Sequence, residues 1–68
     1  AGKGDWARAE PAYARYTELR PTDADGWHRL GAARFYTERY SAAVGAFRRA
    51  GREAREARHQ TEALNPAA

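Results

Sequence analysis

The sequence predicts an all-α fold of three helices, closed by an elongated last helix. Three observations predict it. Alanine, arginine and glutamate dominate while β-branched residues are few, which favours helix over strand. Glycine, proline and capping residues divide the chain at intervals that suit helices. The pattern of aromatic and small residues recurs at an offset of 34 positions, as Trp6 with Tyr40, Ala9 with Ala43 and Tyr13 with Phe47.

Each element follows from local signals. Gly2-Lys3-Gly4 reads as an opening turn and Asp5 as an N-cap, so the first helix runs to about Leu19. Pro21-Thr22-Asp23 breaks it, and Asp23 caps a second helix over about Ala24 to Thr37. Ser41 reads as the cap of a third helix, which continues to about Ala63 and stops at Asn65-Pro66. Gly51 could split this helix, at a cost near 1 kcal/mol relative to alanine. The periodicity runs through it, so one long helix is preferred. Its expected buried stripe is Tyr40, Ala43, Val44, Phe47, Ala50, Gly51, Ala54, Ala57, Thr61 and Leu64. The opposite face offers Arg49–Glu53, Arg52–Glu56 and Arg58–Glu62 at i,i+4.

Composition narrows the function. Hydrophobic residues make up 43%, but seventeen of the 68 residues are alanine, and the bulky aliphatics are only Leu19, Leu30, Val44 and Leu64. So small a core leaves no room for a buried catalytic pocket, and the chain reads as non-enzymatic. The net charge of +3 comes from twelve basic and nine acidic residues that are interspersed, which reads as solvated helix surface. There is no cysteine, no signal peptide and no apolar run of the roughly 20 residues a membrane span needs, and the compartment stays open. His28 and His59 lie on different helices with no ligand partner at helical spacing, so no metal or other cofactor is expected. Asp23 and Asp25 sit at a helix start, where they complement the macrodipole.

With this period and pattern the chain resembles the tetratricopeptide repeat family over about residues 4–50. Trp27, Leu30 and Gly31 match the family's opening triplet, and Tyr40, Ala43, Val44, Phe47 and Ala50 match its second helix. Gly4, Asp5, Trp6, Ala9, Tyr13, Leu19 and Pro21 match the second helix and exit of a preceding copy. The chain departs from the family at four places. Arg34 stands where the family has a tyrosine, and Phe35 or Tyr36 could fill that space. Tyr16 replaces the small residue that Ala50 keeps, and Arg55 replaces the exit proline. Leu64-Asn65-Pro66 repeats Leu19-Arg20-Pro21 at a distance of 34 plus 11. Eleven residues are very nearly three helical turns, so the insertion lengthens the helix without rotating its face.

The resemblance implies an α-solenoid of antiparallel hairpins. Residues 1–23 are then the second helix of a partial repeat with its exit turn, 24–51 a complete helix pair, and 52–68 an extension and tail. An array of about three repeats is usual, so further repeats or a larger complex are expected. The family's activity is binding protein segments in a concave groove, at positions that correspond here to Asp25, His28, Arg29, Ala32, Phe35 and Tyr36. Asp25 stands where carboxylate-binding members place a lysine, so a carboxylate clamp at Arg29 is not expected. An alternative is a small accessory subunit that docks through its arginine-rich last helix, at Arg48, Arg52, Arg55 and Arg58. Nucleic-acid binding by the same arginines is the weakest reading, because Glu53 and Glu56 interrupt them. Trp6 and Trp27 read as core. Because both copies keep alanine between aromatics, Ala43→Leu should overpack a helix contact and cost about 1–3 kcal/mol; thermal unfolding of the folded protein checks this, and an unchanged midpoint would refute the repeat register.

Overall fold

The computed structural model describes residues 3–64. They form three helices, α1 Lys3–Leu19, α2 Ala24–Tyr36 and α3 Tyr40–Leu64. Gly51 does not interrupt α3. The stop expected at Asn65-Pro66 lies outside the described residues.

The helix boundaries follow from capping chemistry. Asp23 caps α2 with an extended backbone, and its Oδ1 accepts from the Asp25 and Gly26 amides at 3.0 and 3.3 Å. At the far end of α2 the chain turns in a Schellman motif. The Arg39 amide donates to the Arg34 carbonyl at 2.8 Å and the Glu38 amide to that of Phe35 at 3.0 Å. Glu38 takes φ 67°, the left-handed conformation for which glycine is usual. Two expected caps are corrected. Lys3 and Gly4 are already helical, so Asp5 lies within the first turn of α1 and acts on the helix dipole instead. The Ala43 amide bonds to the Arg39 carbonyl, so α3 starts earlier than Ser41. Pro11 lies inside α1 and leaves the Ala7 carbonyl without its usual donor.

The helices lie in a row. α2 packs against α1 on one side and α3 on the other, and no Cα of α1 comes within 8 Å of one in α3 among the described residues. The core is small: Leu30 and Ala33 from α2, with Ala43, Ala46 and Ala50 from α3. Two glycines of α2 let aromatic rings come close. A Cβ on Gly31 would lie 2.6 Å from Phe47 Cδ1, and one on Gly26 would lie 2.6 Å from Tyr16 Cδ1. The bulk of Tyr16 is thus matched by its absence at Gly26 on the facing helix.

The expected stripe of α3 needs correction. Burial follows Ala43, Ala46, Ala50 and Glu53, whereas Tyr40, Val44, Gly51, Ala54, Ala57 and Thr61 are exposed. The seam is therefore rotated toward Glu53, and residues 54–62 are all exposed. With α3 running past α2, the molecule measures 48 × 20 × 19 Å.

Glycine substitutions separate close packing from helix propensity. Gly31→Ala should lower stability by about 1–3 kcal/mol, since the Phe47 ring must move. Gly51→Ala meets nothing within 4 Å and should raise stability by up to about 1 kcal/mol. Glu38→Gly should also stabilise, by relieving the left-handed backbone. Denaturant unfolding of the three variants checks the signs, and equal effects of Gly31→Ala and Gly51→Ala would contradict the packing.

Candidate partner-binding site

The six groove positions share one side of α2 because they are spaced at three and four residues. The structure leaves Asp25, His28, Arg29, Phe35 and Tyr36 exposed and Ala32 half-buried. Open clefts flank the N-terminal part of this face. One, of about 510 Å³, lies toward α3 between His28, Phe47, Ala50 and Ala54. The other, of about 260 Å³, lies toward α1 between Tyr13, Tyr16, Gly26 and Arg29.

Within this part the polar groups are already paired. Arg29 Nε donates to Asp25 Oδ2 at 2.8 Å, an exposed i,i+4 pair. Asp25 and, after it, the Tyr13 hydroxyl hold the Arg29 guanidinium above its ordinary pKa. Arg29 is thus paired from its own helix. The His28 ring lies against Phe47, with centroids 5.5 Å apart.

At the C-terminal end of α2 the site is aromatic. Tyr36 stacks on Trp6 of α1 at 5.0 Å, Phe35 meets Tyr36 edge-on at 5.4 Å, and Phe35 meets Tyr40 of α3 at 5.5 Å. Phe35 is 48% exposed and Tyr36 51%. Arg34, next to them in α2, donates through Nε to Glu10 Oε1 and through Nη1 to the Ala42 carbonyl, both at 3.4 Å. Glu10 also pairs with Arg39 at 3.5 Å. Tyr40, expected on the buried stripe, is exposed in this row, whereas Trp6, expected in the core, is half-buried against Tyr36. The 34-residue match of Trp6 with Tyr40 was the signal, since equivalent residues of α1 and α3 flank α2.

The four arginines of the alternative face all lie on the exposed surface of α3. Arg48 and Arg52 border Trp27, together with Arg49, whereas Arg55 and Arg58 lie farther along the exposed end of α3. Arg49 and Glu53 were expected on the solvated face. Instead Arg49 covers the Trp27 ring at 4.9 Å and bonds through Nε to Glu53 at 2.6 Å. Trp27 is half-buried, and its Nε1 donates to the Pro21 carbonyl at 2.8 Å. The pairs expected at Arg52–Glu56 and Arg58–Glu62 do not form among the described residues; Arg52 leans to Glu53 at 3.9 Å.

No His, Cys, Asp or Glu cluster among the described residues could hold a metal ion, and none of their helices is long and apolar enough to cross a membrane. No known family model, curated protein or solved structure matches the chain.

The cleft beside α1 has a titratable latch. The Tyr16 hydroxyl donates to Asp23 Oδ2, while the other Asp23 oxygen caps α2. The bond to Tyr16, and then the backbone amides, hold the Asp23 carboxyl below its ordinary 3.8. The same bond holds the Tyr16 phenol above 10.0. Asp23 therefore stabilises the fold above its unfolded-state pKa, and this is lost as pH falls through the lower folded value. Tyr16 stabilises it below its unfolded-state pKa, and this is lost as pH rises through the higher one. The melting temperature should fall in Tyr16→Phe at neutral pH, with the difference shrinking below about pH 4 and above about pH 10. Melting curves across pH check this, and a difference that ignores pH would refute it.

Proposed function

We propose that the protein is a non-enzymatic protein–protein interaction module, tetratricopeptide-like in build, that holds a partner segment or helix against the outward face of α2. The observation that carries this reading is the row of half-exposed aromatic rings at Phe35 and Tyr36, backed by Trp6 and Tyr40. Rings fixed by their neighbours offer large apolar area at little entropic cost, which is why aromatics dominate binding hot spots. The clefts beside His28 and Tyr13 continue that surface with recesses for side chains. Gly31 against Phe47, and α2 packed between α1 and α3, support the tetratricopeptide-like build and its place in a longer scaffold or array.

A second reading has one observation of its own. Residues 54–62 of α3 are exposed, and Arg55 and Arg58 stand on them. An exposed, arginine-bearing helix end suits an accessory subunit that docks on an acidic surface of a larger complex.

Peptides selected from a displayed library on the folded protein separate the two. His28→Ala combined with Tyr36→Ala should weaken binding by about ten-fold or more with helicity retained. Arg52→Glu combined with Arg55→Glu should change it little. The opposite ranking would replace the groove with the docking helix.

A further inference from the structure

Helical spacing puts Trp27 on the far side of α2 from Arg29, Ala32 and Tyr36. There it borders a separate open cleft of about 310 Å³, whose other walls are Gly45, Arg48, Arg49 and Arg52 of α3. The cleft has a rigid side. Trp27 is tethered to the Pro21 carbonyl, Arg49 lies over its ring, and Arg49 is fixed by Glu53, whose side chain is only 9% exposed. With Nε so committed, the terminal nitrogens of Arg49 make no hydrogen bond among the described residues. Gly45 keeps the mouth open, since a Cβ there would meet nothing within 4 Å.

The charges here do not balance. Arg49 and Arg52 share the single carboxylate of Glu53, at 2.6 and 3.9 Å. No carboxylate among the described residues pairs with Arg48. Three guanidiniums line the cleft and one carboxylate pairs with two of them, which leaves two positive charges unmatched. Arg48 and Arg52 are also like charges at i,i+4, which repel until an anion comes between them. A phosphoryl group carries about −1.5 to −2 at pH 7, with three oxygens that accept from guanidinium forks. A monoanion would leave half of the excess.

We propose that the Trp27–Arg48–Arg49–Arg52 cleft is a binding site for a phosphoryl group, carried on a phosphorylated side chain or on a small molecule. A nucleic-acid strand fits less well. Arg49 covers one face of Trp27, which closes that face to a stacking base.

The test is a titration of the isotope-labelled protein with inorganic phosphate at about pH 7.5, with chloride at equal ionic strength as the control. The Trp27 indole N–H resonance should shift and saturate while that of Trp6 stays. Arg48→Ala and Arg52→Ala should each weaken binding by about ten-fold, and Arg55→Ala and Arg58→Ala should leave it unchanged. Gly45→Glu places a competing carboxylate in the mouth and should abolish binding while helicity is kept. A phosphoserine peptide that competes with phosphate identifies a phosphorylated side chain as the source, and phosphate binding without such competition identifies a small molecule. Shifts that match the chloride control, or that survive Arg48→Ala and Arg52→Ala, overturn the proposal. So does an oligothymidylate that binds with equal dependence on Arg55 and Arg58, which would make the whole stripe a nucleic-acid surface. The cleft is on the other side of α2 from the aromatic row, so its failure leaves the groove reading standing.

Discussion

The close approach of α2 to its neighbours is the constraint on which the rest of the structure depends. With so few bulky aliphatics, the chain fills its seams with aromatic rings, and rings need space on the facing helix. Gly31 supplies it for Phe47 and Gly26 for Tyr16. Because both glycines are on α2, this short helix is the one that both others lie against. Ala33, Ala43, Ala46 and Ala50 continue the same solution, bringing backbones together where larger side chains would hold them apart.

Partly buried charge completes what the small core leaves unfilled. Glu10 draws Arg34 and Arg39 toward α1, and Glu53 draws Arg49 across Trp27. Removing charges from water is costly, so such pairs add little net stability on average. Their effect is geometric. Arg34 bridges Glu10 of α1 and the Ala42 carbonyl of α3, which sets how these helices are placed about the end of α2. Arg49 and Glu53 pin the rim of the cleft beside Trp27.

A row of three helices in which only the middle one has two neighbours leaves much surface unsatisfied. Tyr40 and Val44 of α3 and Leu19 of α1 are exposed, and so is the aromatic row at the end of α2. Exposed rings that contact one another keep their orientation without a partner. That distinguishes a prepared surface from scattered apolar residues, which are ordinary on any protein. The two sides of α2 also differ in chemistry. One offers rings and recesses, the other arginine.

The sequence by itself determined what depends on near neighbours in the chain. The helices, the Asp23 cap, the continuity of α3 through Gly51 and the common side of Asp25, His28, Arg29, Ala32, Phe35 and Tyr36 all follow from spacing and backbone preference. Tertiary structure decided which side chains the neighbours cover. Alanine is so frequent that the α3 pattern fits more than one seam, and packing on α2 selected the one that buries Glu53. Trp6 and Tyr40 were legible as an equivalent pair, but their joining Phe35 and Tyr36 at the surface depends on where α1 and α3 lie about α2. Arg34 is half-buried at the end of α2 because Glu10, 24 residues away, is there to meet it. Helical periodicity is written in residues three and four apart, whereas burial is a property of the residues that folding brings from elsewhere.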